Sequence, residues 1–149
     1  MLLKAQCKAL PKVDVNVYRV YNPNSGEHFY TLSLEEKNAL CSSGWKDEGV
    51  AWKAPSSGVA VYRVYNPVVG DHHYTMSKEE VDALVSKGWI DEGFAFYSAK
   101  SDTGKPIFRL YNPNAVVGTH HYTPSVEERD KLVTKGWIFE GVGFYCVSF

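Results

Sequence analysis

Three stretches of the chain repeat one pattern of apolar and polar positions. Each opens on a β-branched and aromatic run, Val17–Asn22, Val61–Asn66 or Ile107–Asn112, which stops at Pro23, Pro67 or Pro113. Such residues suit a pleated surface and proline cannot continue a ladder, so each run predicts a strand. A turn closed by Gly26, Gly70 or Gly118 follows, then a short second strand, His28–Thr31, His72–Thr75 or His120–Thr123, forming a hairpin with the first. The third turn is two residues longer than the first, which marks an exposed loop.

Helix signals come next. Ser33-Leu-Glu-Glu36, Ser77-Lys-Glu-Glu80 and Ser125-Val-Glu-Glu128 read as capping boxes, in which the serine oxygen takes an orphan N–H and the glutamate reaches back to the serine's own. That reading makes Glu36, Glu80 and Glu128 structural rather than catalytic. Ala39/Leu40, Ala83/Leu84/Val85 and Leu132/Val133 predict one buried stripe per helix, and Gly44, Gly88 and Gly136 sit where a left-handed C-terminal cap belongs. Gly-Trp-x-x-Glu-Gly follows in every copy, then an apolar strand at Val50–Trp52, Phe94–Tyr97 or Val142–Tyr145. Trp45, Trp89 and Trp137 are expected to fill a small core beneath each helix.

Trp45 to Trp89 spans 44 residues and Trp89 to Trp137 spans 48, so each copy is one supersecondary unit too small to bury its own apolar face. The expected fold is mainly β with one short helix per repeat, the repeats covering about 17–54, 61–98 and 107–146. They form one domain over 1–149, in a closed, pseudo-threefold, trefoil-like arrangement, because an open array would need distinct capping repeats. KAPSSGVA and SAKSDTGKP are turns joining copies rather than hinges between domains.

Composition narrows the partners. With 16 basic and 17 acidic residues and a net charge of -1, the chain lacks the basic stripe that nucleic acid or anionic lipid requires. No apolar run approaches the ~20 residues that span a bilayer. The opening MLLKAQCKAL is too short and polar for a secretory signal, so extracellular action implies an absent export signal, a larger parent protein or release by lysis. Of three cysteines, none falls at an equivalent repeat position. Cys7 and Cys146 lie at the chain ends and form either a terminal clasp or, with Cys41, three free thiols.

The pattern Tyr-Arg-x-Tyr-Asn-Pro, Gly-x-His-x-Tyr-Thr, Ser-x-x-Glu, Gly-Trp-x-x-Glu-Gly over residues 17–146 resembles a family of tandem repeats without assigned function. Such repeats occur in bacterial and fungal secreted proteins, often beside peptidoglycan hydrolases, peptidases and other wall-active enzymes. Only Phe108, where the pattern has Tyr, and the longer third loop depart from it. The resemblance implies an accessory module that targets cell-wall or other glycans, attached to or associated with a hydrolase, extracellular or wall-associated. It supplies no binding residues.

Those come from the repeats themselves. The expected ligand contacts are Tyr21, His28 and Tyr30, with their equivalents Tyr65, His72, Tyr74 and Tyr111, His120, Tyr122, in a cleft between the first hairpin and the segment after the Gly-Trp turn. Sugars stack apolar C–H faces on such rings while polar neighbours bind their hydroxyls. Arg19, Arg63 and Arg109 are placed to pair with carboxylates, Glu48, Glu92 and Glu140 among them, or to orient sugar hydroxyls. Asn22, Asn66 and Asn112 read first as turn-formers. A zinc site of His28, His72 and His120 around a threefold axis is the sharpest alternative chemistry, opposed by the alternation of strand side chains. No phosphate loop, nucleophile elbow or repeated Cys–His pair is present, and nearly every polar candidate occurs three times, so the expectation is a non-enzymatic module without cofactor or metal. Carbohydrate recognition, as a lectin or wall-targeting domain with one weak site per repeat, is the leading function; an aromatic surface docking a protein partner is the alternative.

Overall fold

The computed structural model describes residues 13–149. Three units follow one another: β1 (Asp14–Tyr21), β2 (His28–Thr31), α1 (Leu34–Ser42) and β3 (Lys46–Pro55); β4 (Val59–Asn66), β5 (Asp71–Thr75), α2 (Lys78–Ser86) and β6 (Ile90–Ser98); β7 (Lys105–Tyr111), β8 (His120–Thr123), α3 (Val126–Thr134) and β9 (Ile138–Cys146). Each unit is an antiparallel three-stranded sheet, ordered β2-β1-β3, β5-β4-β6 and β8-β7-β9. The fold is mainly β with one short helix per unit, a three-part pseudo-symmetric domain. Among the described residues no helix is long and apolar enough to cross a membrane.

The third strand is longer than its apolar run, because the Gly-Trp-x-x-Glu-Gly segment joins it. Val20 pairs with Asp47 while Tyr18 pairs with Val50, a register shift that marks a bulge. Gly49, at φ +81°, takes the left-handed conformation there, and Asp47 accepts its N–H at 2.8 Å. The bulge recurs at Gly93 and Gly141, and the glutamate before each glycine turns toward the arginine of its own central strand.

The shared central core is built from strand residues. Val17, Val61 and Ile107, then Tyr30, Tyr74 and Tyr122, then Trp52, Phe96 and Phe144 are buried together, one residue of each set per unit. The tyrosine rings meet pairwise edge-to-face at 5.4–5.6 Å, and Trp52, Phe96 and Phe144 meet at 5.4–5.9 Å. Every unit therefore touches both others, the third meeting the first as the second does. Cys146 is buried at the end of β9; Cys7, its partner in the expected clasp, lies outside the described residues.

Two packing expectations are corrected. The helices carry no buried stripe: Val81 is their only buried residue, Leu40, Leu84 and Leu132 are half-buried, and Val85 and Val133 are 42% and 45% exposed. Strand residues fill the interior, which leaves the helices outside the sheets. Nor do Trp45, Trp89 and Trp137 fill a core beneath them. They are half-buried, Trp45 edge-on to Phe29 and Trp137 edge-on to His121, while the core tryptophan is Trp52.

The helix starts hold half of the expected box. Ser33, Ser77 and Ser125 each accept the N–H three residues on at 3.1 Å. The glutamates do not reach back; Thr31, Thr75 and Thr123 accept the serine N–H instead, at 3.0–3.1 Å, which frees the glutamates for another use. Replacing Ser77 with Ala should still cost about 1 kcal/mol. For a chain of this length that lowers the melting temperature by about 2–4 °C in a calorimetric scan; an unchanged melt would show that the cap is dispensable.

Candidate functional site

The freed glutamates cross to the next unit. Glu36 takes both terminal nitrogens of Arg63 at 3.1 and 3.2 Å, Glu80 takes those of Arg109 at 3.1 and 3.3 Å, and Glu128 takes one nitrogen of Arg19 at 3.1 Å. Each arginine also donates its Nε to the bulge glutamate of its own unit: Arg19 to Glu48 at 2.7 Å, Arg63 to Glu92 at 2.8 Å, Arg109 to Glu140 at 2.9 Å. One guanidinium thus stands between two carboxylates at each junction between units. A planar fork with fixed donors suits this bridging role.

The nine expected contacts divide into two groups. Tyr30, Tyr74 and Tyr122 are 0%, 1% and 1% exposed, and a ring without an open face cannot stack on a sugar. They are corrected from contacts to structure. β2, β5 and β8 are sheet edges, and the tyrosine hydroxyls serve those edges in place of a neighbouring strand. Tyr30, Tyr74 and Tyr122 N–H groups donate to the hydroxyls of Tyr74, Tyr122 and Tyr30 at 2.9, 3.0 and 3.2 Å. The Tyr74 and Tyr30 hydroxyls donate in turn to the carbonyls of Tyr30 and Tyr122 at 3.1 and 2.9 Å.

Tyr21, Tyr65 and Tyr111, with His28, His72 and His120, are half-buried at the surface. They are direct cross-strand partners, Tyr21 opposite His28, Tyr65 opposite His72 and Tyr111 opposite His120, with ring centres 4.7–5.2 Å apart. Each imidazole Nε2 approaches its own unit's bulge glutamate, at 3.3 Å from Glu48, 3.6 Å from Glu92 and 3.1 Å from Glu140. Beyond those glutamates lie clefts between units. One of about 210 Å³ is lined by Arg19, Glu48, Val50, Ser125, Glu128 and Phe149 among others, and one of about 380 Å³ by Thr75, Ser77, Glu80, Arg109, Glu140 and Val142. Tyrosine and histidine border these clefts only through the glutamate.

The imidazoles do not gather around an ion. His28 faces His121 of the third unit at 4.6 Å, His120 faces His73 of the second at 4.5 Å, and His72 faces Phe29 of the first at 4.9 Å. Among the described residues no group of three histidine, cysteine, aspartate or glutamate side chains is arranged to hold a metal. Asn22, Asn66 and Asn112 form the expected turns, accepting N–H groups two residues on at 2.9–3.0 Å.

Two further layers lie outside the threefold sequence pattern. Glu27 and Asp71, buried and equivalent, bind across units: Glu27 accepts from His72 Nδ1 at 2.7 Å and from its N–H at 2.9 Å, and Asp71 accepts from Gly118 N–H and the Thr119 hydroxyl at 2.9 and 2.5 Å. An acidic residue before the histidine in two copies was the available signal. The second layer is Phe29, His73 and His121, buried behind the arginines. His73 lies 3.2 Å from Glu80 and His121 2.9 Å from Glu128, while Arg63 stacks over Phe29 at 4.6 Å.

These networks predict a domain that loses stability in acid. Burial holds the imidazoles of His28 and His120 down to about 3, aided by His121 and Arg19 around the first and His73 and Arg109 around the second. Hydrogen bonds from His73 and His121 hold the Glu80 and Glu128 carboxyls well below their ordinary range. The unfolded chain protonates His28 and His120 near pH 6.5 and the folded one only near 3, so stability falls as pH drops across that window. The glutamates add to the loss below their unfolded value, near pH 4.3. At pH 5 each histidine accounts for at most about 2 kcal/mol. Melting temperature should fall steadily from pH 7 to 5, and a His28→Asn, His120→Asn protein should show a flatter profile. Parallel profiles would contradict the assignment.

The family described as a domain of unknown function, DUF5648, matches residues 16–147. No curated protein and no solved structure matches the chain. Since the match takes in all three units with their arginine–glutamate junctions, the chain belongs to the DUF5648 family.

Proposed function

We propose that the domain is a multivalent carbohydrate-binding module with one weak site per unit, in a closed, trefoil-like body, acting outside the cell to hold a wall-active enzyme or a lectin against a glycan. The site of each unit centres on the bulge glutamate, Glu48, Glu92 or Glu140, with the tyrosine–histidine pair on one side and the arginine-bearing junction on the other. One observation carries this reading: the same combination of half-buried phenol ring, imidazole, fixed carboxylate and fixed guanidinium recurs three times at the surface. A ring face for C–H groups beside rigid planar hydrogen-bonding groups is what a sugar needs, and rigidity spares the ordering cost on binding. Threefold repetition suits a polymer with repeating residues better than one small molecule. It also speaks against catalysis, which needs different groups assembled once.

A protein-docking role has its own support in apolar side chains at the outer surface, with Val50, Phe94 and Val142 at 44–50% exposure. Sedimentation with insoluble wall polysaccharide, beside affinity capture from the same lysate, separates the two. Depletion from solution by the polysaccharide, reversed by soluble oligosaccharide, is the expected result. Specific capture of one protein without any polysaccharide binding would overturn the carbohydrate reading.

A further inference from the structure

We infer that the sites select sugars bearing a free amine over acetylated or acidic ones, a deepening that rests on the carbohydrate reading above. Each junction holds two carboxylates against one guanidinium: Glu48 and Glu128 with Arg19, Glu36 and Glu92 with Arg63, Glu80 and Glu140 with Arg109. The whole chain carries only -1, so the excess is local. Burial holds His28 and His120 neutral at ordinary pH and so leaves the charge of Glu48 and Glu140 in place, while His73 and His121 contact Glu80 and Glu128 rather than the bulge glutamates.

The carboxylates are also incompletely used. In all three copies the bulge glutamate engages its arginine and approaches its histidine through Oε1 alone: Glu48, Glu92 and Glu140 bind Arg19, Arg63 and Arg109 that way. Oε2 has no hydrogen-bond partner among the described residues in any copy, and these side chains keep 28–29% of their surface exposed. A carboxylate oxygen fixed by its twin and turned to no protein donor is an acceptor for a ligand donor. An ammonium group puts charge on both partners of that hydrogen bond and offsets the excess charge; a hydroxyl or acetamide leaves the charge on the carboxylate alone, and a uronic acid is repelled. The second charge should strengthen the contact close to tenfold in affinity per site, about 1.4 kcal/mol.

The probes are β-1,4-linked glucosamine oligomers, N-acetylglucosamine oligomers and oligogalacturonate of matched length, with a lysine oligomer of similar charge, titrated into the whole chain at pH 6 in low and high salt. Glucosamine oligomers should bind about tenfold tighter than acetylated ones at low salt. The gap should close near 1 M salt, where screening acts within about 3 Å. Glu92→Gln, checked for folding by circular dichroism, should narrow the same gap without abolishing binding of the acetylated oligomer. Equal affinity for amine and acetylated oligomers, or preference for oligogalacturonate, would overturn the inference while leaving carbohydrate binding intact. Binding of the lysine oligomer as tight as that of the amino sugar would also overturn it, by reducing selection to charge alone. Failure of every sugar to bind removes the carbohydrate reading itself.

Discussion

Removal of one oxygen atom from the core, in Tyr74→Phe, should cost about 2–4 kcal/mol, an effect far beyond its size. The Tyr74 hydroxyl accepts from the Tyr30 N–H at 2.9 Å and donates to the Tyr30 carbonyl at 3.1 Å, closing the free edge of β2. Phenylalanine keeps the ring and its edge-to-face contacts but leaves a buried donor and a buried acceptor without partners, each costing about 1–3 kcal/mol. Tyr74 gives the cleanest test of the three, because Tyr122 and Tyr30 also have His73 and His121 near their hydroxyls, at 2.8 and 3.4 Å, whereas Phe29 stands at the corresponding position beside Tyr74. For a domain of this length the melting temperature should drop by about 5–15 °C. Tyr65→Phe at the half-buried surface position should stay within about 0.5 kcal/mol of the parent. A Tyr74→Phe protein melting with the parent would show that the hydroxyl relay between units is not a source of stability.

The larger functional effect is expected at Tyr21, Tyr65 and Tyr111. If each unit holds one weak site, the second and third contacts with a polymer form at high effective concentration, adding a factor of about 10²–10⁴ to apparent affinity. Alanine at Tyr65 should remove one stacking face and lower polymer binding by one step; the double substitution should lower it further. The triple substitution Tyr21→Ala, Tyr65→Ala, Tyr111→Ala should bring it near or below the affinity for a single sugar. Binding of a short oligosaccharide that reaches one site should fall in proportion to the sites lost, not by the polymer factor. None of these rings belongs to the buried core, so all the variants should keep the parent's circular dichroism. A folded triple variant that sediments with the polymer as the parent does would remove this face from the binding surface.

Much of the architecture was legible because local chemistry repeats. Proline after each first strand, serine before each helix and glycine after it mark boundaries that the structure keeps, and the second strands His28–Thr31 and His120–Thr123 match residue for residue. What local pattern could not show is how the three units divide the interior. Tyr30 and Tyr21 are the same residue type on neighbouring strands, yet the contacts of Tyr30 come from Tyr74 and Tyr122, 44 and 92 residues away. Only that long-range packing makes one tyrosine core and the other surface. The helix stripes failed for a related reason. Leu40 and Leu84 have helical spacing, but Trp52, Phe96 and Phe144 occupy the shared core in their place. Spacing alone favours a local cap for the glutamates of Ser-x-x-Glu. Thr31, Thr75 and Thr123, two residues before the serines, take the bond and release the glutamates to the neighbouring arginines.

The central claim is three weak carbohydrate sites on one chain, and calorimetric titration of the whole chain with soluble wall oligosaccharides of increasing length tests it most directly. The expected result is a stoichiometry near three for the shortest ligand that binds, with apparent affinity rising steeply once an oligomer bridges two units. A single site per chain at every length would contradict the repeated-site account, and absence of binding to any glycan would transfer the function to the protein-docking surface.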